Sequence, residues 1–430
     1  MRRVATYLAI ALVAGVWGVS LAAQTIAITG GKVFPVSGSP MQAATVLMRD
    51  GKIVAVGTDV SIPAGTERVD ATGKWVTPGL IDAATQLGLV EIGQVADTRE
   101  ASARGRNSYG INAAFTVWEG LNPASVLLAP ARQEGVTSVA VAPQGGLISG
   151  QAAVIDLVDG SVSDLLVKSP VGMVGEIGSA ADAGVASRGE LIVRMHELLD
   201  DTRSFMRHRT EFERNATRSY AASRIDLQAM IPVLEGRLPL FASVDKASDI
   251  EAALKLAQQY GIRLVVTGGA EAWMVAGKLK AAGVPVLTGA MNNIPTTFAT
   301  LAQRQENAAL LRKAGVEVAL IGNAGGGDEE AFNVRNIRQE AGNAVAYGLS
   351  WDDALRALTL APAQIFGVAD RIGSLRAGTE ANVVVWSGDP FEFGTRAEQV
   401  FIRGKRMTGK TRQDLLVDRY RKLPPSFQKP

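Results

Sequence analysis

Between about residues 79 and 370, short apolar runs alternate with helix-like stretches at a spacing of about 25 residues, and this rhythm restricts the fold more than any other feature. The runs include Val136 to Val141, Leu238 to Ala242, Arg263 to Thr267, Val284 to Leu287 and Val316 to Ile321. Helical stretches lie between the later ones, from Ala247 to Tyr260, Ala272 to Ala282 and Thr296 to Ala314. Buried parallel strands joined by crossover helices have this texture. No Gly-rich dinucleotide or phosphate loop follows the first run, which favours a closed barrel over an open sheet. Arg188 to Arg218 reads as a long, highly charged helical segment expected to project from the core.

Both ends of the chain are β-like. Thr25 to Phe34 reads as a strand, and Ala44 to Met48 and Ile53 to Gly57 flank Asp50-Gly51, a hairpin signal. Val69 to Thr77 adds a strand. Near the other end come Ala381 to Trp386 and Val400 to Lys405. These two β-rich ends bracket the α/β middle and are expected to pack as one discontinuous domain.

Arg2 and Arg3 precede an apolar stretch from Val4 to Val19, and small residues follow, the pattern of a secretory signal over residues 1–23 cleaved near Ala22 or Ala23. The expected location is periplasmic or secreted, with no stable membrane span after cleavage. Without Arg2 and Arg3 the 44 basic residues become 42, equal to the 42 acidic ones. A balanced charge gives no support for nucleic-acid or anionic-membrane binding. The chain has no cysteine, which excludes disulfides, thiolate metal sites and cysteine nucleophiles.

Three stretches carry a family resemblance. The first is Ile53-Val54-Ala55-Val56-Gly57 followed by Val76-Thr77-Pro78-Gly79-Leu80-Ile81-Asp82-Ala83. The second is Gln144-Gly145-Gly146-Leu147-Ile148-Ser149-Gly150-Gln151. The third is Ala354 to Ala363 followed by Gly373-Ser374-Leu375-Arg376-Ala377-Gly378. In this order and spacing they resemble the amidohydrolase superfamily, particularly its exported imidazolonepropionase-like branch, over about residues 26 to 407. The resemblance implies an α/β fold, a distorted (β/α)8 TIM-like barrel with a small β-sandwich from both chain ends. It divides the chain into signal peptide 1–23, sandwich 24–78 and 373–410, barrel 79–372, and tail 411–430.

The resemblance also implies metal-assisted hydrolysis of C–N bonds, with a bound metal, commonly zinc, activating water. The family's first-strand run is typically Pro-Gly-Leu-Ile-Asp-Ala-His-Thr-His. Here the two histidine positions are Ala84 and Gln86. The fifth-strand histidine falls near Ser243, the sixth-strand histidine near Gly268, and the eighth-strand aspartate on or beside Asn323. Alanine has no donor atom, and asparagine cannot serve as a general base. The chain's two histidines, His196 and His208, lie twelve residues apart in one helical segment. On a straight helix they are about 18 Å apart and cannot share a zinc ion.

The reading favoured by these losses is an exported amidohydrolase-family protein without metal ligands or general base. It would be a catalytically inactive pseudoenzyme acting as a binding or assembly partner. No cofactor is expected, where the family norm is zinc. Its partners would be an active homologue or a second copy, with a small-molecule ligand in the barrel mouth. The alternative is a hydrolase of non-peptide amides or cyclic amides with altered or metal-free chemistry. Asp82, Glu91, Asp97, Glu100, Asp245 and Glu271 are the carboxylates considered for it, with Asp245 and Glu271 the site candidates. A third reading uses the old pocket as a binding module lined by the loops Gln144 to Gln151 and Asn323 to Asp328.

Overall fold

The computed structural model describes residues 24–103, 110–291, 293–295, 297–322 and 330–421. The first strands are β1 (Thr25–Val33), β2 (Met41–Arg49), β3 (Lys52–Gly57), β4 (Glu67–Asp70) and β5 (Trp75–Pro78). The barrel strands are β6 (Leu80–Thr85), β7 (Val136–Val141), β8 (Ile148–Asp156), β9 (Leu166–Glu176), β10 (Leu240–Val244), β11 (Leu264–Gly268), β12 (Val286–Thr288) and β13 (Val318–Leu320). The last three are β14 (Val383–Trp386), β15 (Ala397–Ile402) and β16 (Lys405–Arg406).

The two chain ends share one sheet, ordered β16-β15-β14-β5-β1-β2-β3, with β4 beside β1. The join is the antiparallel pair β5–β14, in which Val76 faces Val385 and Trp75 faces Trp386. Asp50 and Gly51 both take positive φ, 51° and 78°, so the β2–β3 hairpin turns as its Asp-Gly pair predicts. Ile26, Ile28, Val46, Met48, Val76, Val383, Val385 and Phe401 pack into one apolar cluster. Residues from both ends thus bury each other, as expected of a small β-sandwich.

The second sheet runs β6 to β13 in chain order. β6–β7 and all pairs from β9 to β13 are parallel, whereas β8 is antiparallel to both neighbours. That reversal is the distortion from an ideal (β/α)8 barrel. Ile81, Ala83, Ala140, Val154, Phe241, Val265, Leu287 and Ala319 point inward and fill the interior. Among the described residues no backbone ladder joins β13 to β6. The seam is spanned instead by Asp82 of β6, which is wholly buried and accepts the amides of Ala84 (3.2 Å) and Gly322, just past β13.

A polar knot joins barrel to sheet. Asp156, fully buried at the end of β8, accepts from Ser138 Oγ (2.7 Å), Asn382 Nδ2 (3.0 Å) and Arg403 Nε (2.7 Å). Burial pushes its carboxyl above the usual range, against the pull of the Arg403 charge and the Ser138 hydrogen bond. A buried carboxylate with three donors, one of them charged, is the arrangement that such burial requires.

Two expectations about helices change. The charged segment does not project: the helix Arg188–Arg207 buries Leu191, Met195, Leu198, Leu199 and Phe205 against the core. An apolar stripe at helical spacing decided its position, and its one buried charge, Asp201, is paired with Arg218. The stretch expected as one helix from Thr296 to Ala314 contains a single 3-10 turn, Phe298–Thr300, and a helix Asn307–Lys313. At the other end, Thr411 caps a helix Arg412–Tyr420 within the expected tail.

Gly79 of the Pro-Gly-Leu-Ile-Asp run sits where the chain passes from one sheet to the other. A Cβ there would lie 2.1 Å from Thr137 Oγ1 and 2.2 Å from its Cγ2, on a side chain that is itself fully buried. Gly79→Ala is expected to lower stability by about 1–3 kcal/mol, the usual cost of overpacking, measured as a drop in urea midpoint at unchanged m value.

Candidate functional site

At the C-terminal ends of the barrel strands lies a cleft of about 600 Å³. This is the face on which barrel enzymes place their sites. Its floor is set by strand register. Glu176 ends β9 and pairs with Ser243 of β10, and Ser243 pairs with Thr267 of β11. Leu287 and Ala319 continue the same row across β12 and β13. Paired residues on parallel strands stand side by side, about 4.8 Å apart, on one face.

Glu176 is largely buried. Its Oε1 accepts from the amides of Gly178 and Ser179, both at 2.7 Å, and Ser243 stands beside it in the strand register. Burial raises its pKa to about 7, against the lowering effect of those two amides. Ser243 is the one exposed residue of β10. It also lines a second, mostly apolar chamber of about 50 Å³ next to the cleft. Ala83, Ala84, Ala140, Ala152, Phe241, Thr267 and Phe366 are among its walls. Ser243 is thus common to the cleft and the chamber.

Asp245 also lines the cleft. It accepts from the Ala270 amide at 3.1 Å, and burial raises its pKa, helped by the nearby Glu271 charge. Gly268 lies against it. The glycine has φ +91°, and a Cβ there would stand 2.7 Å from Asp245 Oδ1. A histidine at Gly268 would therefore need another backbone; the inward-facing residue of β11 is Thr267. Asn307, buried, ties the loops together by donating to Gly269 O (2.9 Å) and Thr288 Oγ1 (3.2 Å) while accepting from the Trp273 amide (3.1 Å). On the rim Arg188 pairs with Asp249 at 2.8 Å, and Phe298 is 84% exposed.

The other predicted positions separate. Ala84 is a chamber wall. Gln86 is buried in the turn after β6, where its carbonyl accepts from Leu89 and Val90. Glu271 is not among the cleft's lining residues: its carboxylate accepts from the Ala247 amide at 3.0 Å, capping the helix Ala247–Tyr260. Asp82 is the seam residue, with its pKa raised to about 7, chiefly by burial. Glu91 accepts from the Val126 amide, and Asp97 and Glu100 are exposed on a loop. His196 is half-buried with Nδ1 2.9 Å from Tyr260 Oη, and His208 caps a helix end at the surface; neither reaches the cleft. Ile148 to Gln151 belong to β8 rather than to a loop. Asn323 and the stretch to Asp328 lie outside the described residues. The residue missed from sequence is Glu176; the only signal for it was a carboxylate directly ending an apolar run.

The profile of the amidohydrolase family matches residues 167–407, more than half of the chain. The chain belongs to the amidohydrolase family. Imidazolonepropionase of Acidiphilium cryptum is 24% identical over 385 residues, covering 82% of this chain and 89% of that one. Amidohydrolase tasK of Hapsidospora irregularis is 38% identical over 77 residues; these are 18% of this chain, which spans only 8% of that relative's length. The crystal structure of an amidohydrolase from Thermotoga maritima MSB8 superposes with a TM-score of 0.79 at 27% identity, covering 90% of this chain and 100% of that one.

Amidohydrolase chemistry uses a metal, and the donor set here does not fit one. Zinc takes imidazole, thiolate or carboxylate. The row at the strand ends offers Ala84, Glu176, Ser243 and Thr267 beside an apolar chamber, and the cleft adds the carboxylates of Asp182 and Asp245 but no imidazole or thiolate. Among the described residues no three of His, Cys, Asp and Glu come together as a metal-binding group.

The raised carboxyls make stability depend on pH. Asp82 and Glu176 hold protons up to about pH 7 in the folded chain, whereas an unfolded carboxylate releases them near 4. The folded state binds more protons across that window, so unfolding free energy falls as pH rises through it. The urea midpoint is expected to drop between about pH 5 and about pH 8, and Asp82→Asn to flatten that slope.

Proposed function

We propose that this chain is an exported amidohydrolase-family protein that has lost its family's metal-dependent hydrolysis and acts through binding at the barrel mouth. One observation carries the reading. The strand-end row that would have to hold a metal presents Ala84, Ser243 and Thr267 around an apolar chamber, with Glu176 already engaged by two backbone amides. Removing donors while retaining the barrel, its seam and its cleft is what a binding role needs and hydrolysis does not.

The cleft is of a size that holds a small molecule. Its lining mixes Lys246, Arg188, Asp182 and Asp245 with Phe298, so the ligand it suits is polar with an apolar part. The partner that the reading names is a second copy or an active homologue of the same fold. Export rests on the charged start and apolar stretch of residues 1–23.

The test is metal content and turnover together. Protein made in zinc- and manganese-supplemented medium is expected to carry well under one metal per chain by mass spectrometry. Added zinc is expected to leave hydrolysis of an amide and dipeptide panel at background. Stoichiometric zinc with zinc-dependent turnover would overturn the reading.

A further inference from the structure

The row Glu176–Ser243–Thr267 places a hydroxyl nucleophile between a carboxylate and a second hydroxyl, on three adjacent strands. Three features set it apart from an ordinary buried serine. Ser243 is exposed to the cleft, although its strand neighbours Ala242 and Val244 are buried. It stands in register beside Glu176, whose carboxylate is itself held by the Gly178 and Ser179 amides. Beside it lies an apolar chamber of about 50 Å³, walled mostly by alanine and phenylalanine. A base held in place beside an accessible nucleophile is the arrangement that activates a hydroxyl.

We propose that Ser243 accepts a short acyl group from small esters without a metal. Glu176 serves as the base, Thr267 as a donor to the carbonyl oxygen, and the chamber holds the acyl chain. The Ser243 Oγ–carbonyl bond forms as the ester's carbonyl–oxygen bond breaks. The hydroxyl proton passes to Glu176 and from there to the departing alkoxide, so charge and atoms balance. A chamber of this size has room for about one or two carbons, which restricts the acyl group to acetyl or propionyl. The leaving group remains in the larger cleft. The reaction goes beyond binding but rests on the same metal-free mouth.

The experiment uses p-nitrophenyl acetate on the full chain after dialysis against a chelator, with peptide mapping to locate acetyl groups. Acetylation of Ser243 is expected. Glu176→Gln keeps an acceptor for the Gly178 and Ser179 amides but cannot take the proton, and is expected to slow labelling of Ser243 by about 10²-fold or more. Thr267→Val, nearly the same shape, is expected to slow it about 10- to 100-fold. Both variants are checked for unchanged melting temperature. Because the chain has no cysteine, Ser243→Cys gives a sole thiol whose reaction with iodoacetamide reports access independently. An unlabelled Ser243, equal labelling in wild type and Glu176→Gln, or an unreactive thiol in Ser243→Cys would each overturn the proposal. None of these results bears on metal content, so they leave the binding reading to its own test.

Discussion

One buried carboxyl sits at the seam of this barrel. Asp82 on the first barrel strand accepts the amide of Gly322, just beyond the last, where no ladder of backbone bonds joins β6 and β13 among the described residues. The site lies in the interior, where an unmet amide would cost about twice what a hydrogen bond contributes. Glu340, also buried, holds the next rim by accepting from Ala290 and Met291 at 2.6 and 2.8 Å, and its charge adds to the raised pKa of Asp82. Two carboxyls thus fix the end of β6 and the loops after β12 and β13.

The changes around the mouth are mutually consistent. Alanine at position 84 leaves space, which Phe241 and Phe366 wall off as an apolar chamber, their rings stacked 5.0 Å apart. Gly268 admits the carboxylate of Asp245, which a side chain at 268 would displace. Ser243 stands beside Glu176 in the strand register, and the carboxylate is held by two backbone amides. Restoring one histidine would leave it without companion ligands and, at Gly268, in a backbone that resists it.

How much of this could be read from the chain depended on range. Asp50-Gly51 announced its hairpin because the turn is a two-residue property. The alternation of apolar runs announced the barrel because strand and helix periods are local. Helix Arg188–Arg207 advertises its charged residues in the sequence, whereas the stripe Leu191, Met195, Leu198 and Leu199 that docks it appears only at helical spacing. Glu176 was missed for a different reason. Lys168, Ser169, Pro170, Gly172 and Gly175 break up the apolar pattern of β9, and only the register with β10 brings that glutamate beside Ser243. Glu271 was named because it follows a strand end, yet its neighbour in space is a helix N-terminus.

The sheet shared by the chain's two ends has a consequence for assembly order. β5 obtains its antiparallel neighbour only when β14 arrives, some three hundred residues later. Until then β5 is an open edge, and Trp386, which seals the junction by donating to Thr77, is missing. Contacts this distant in sequence slow folding, and open edges invite wrong pairings. Both β5 and β6 are waiting strands, one for β14 and the other for the residue after β13. They are joined by nothing more than Gly79, so two separate later stretches of chain, around Gly322 and around β14, complete the two sheets on either side of one residue.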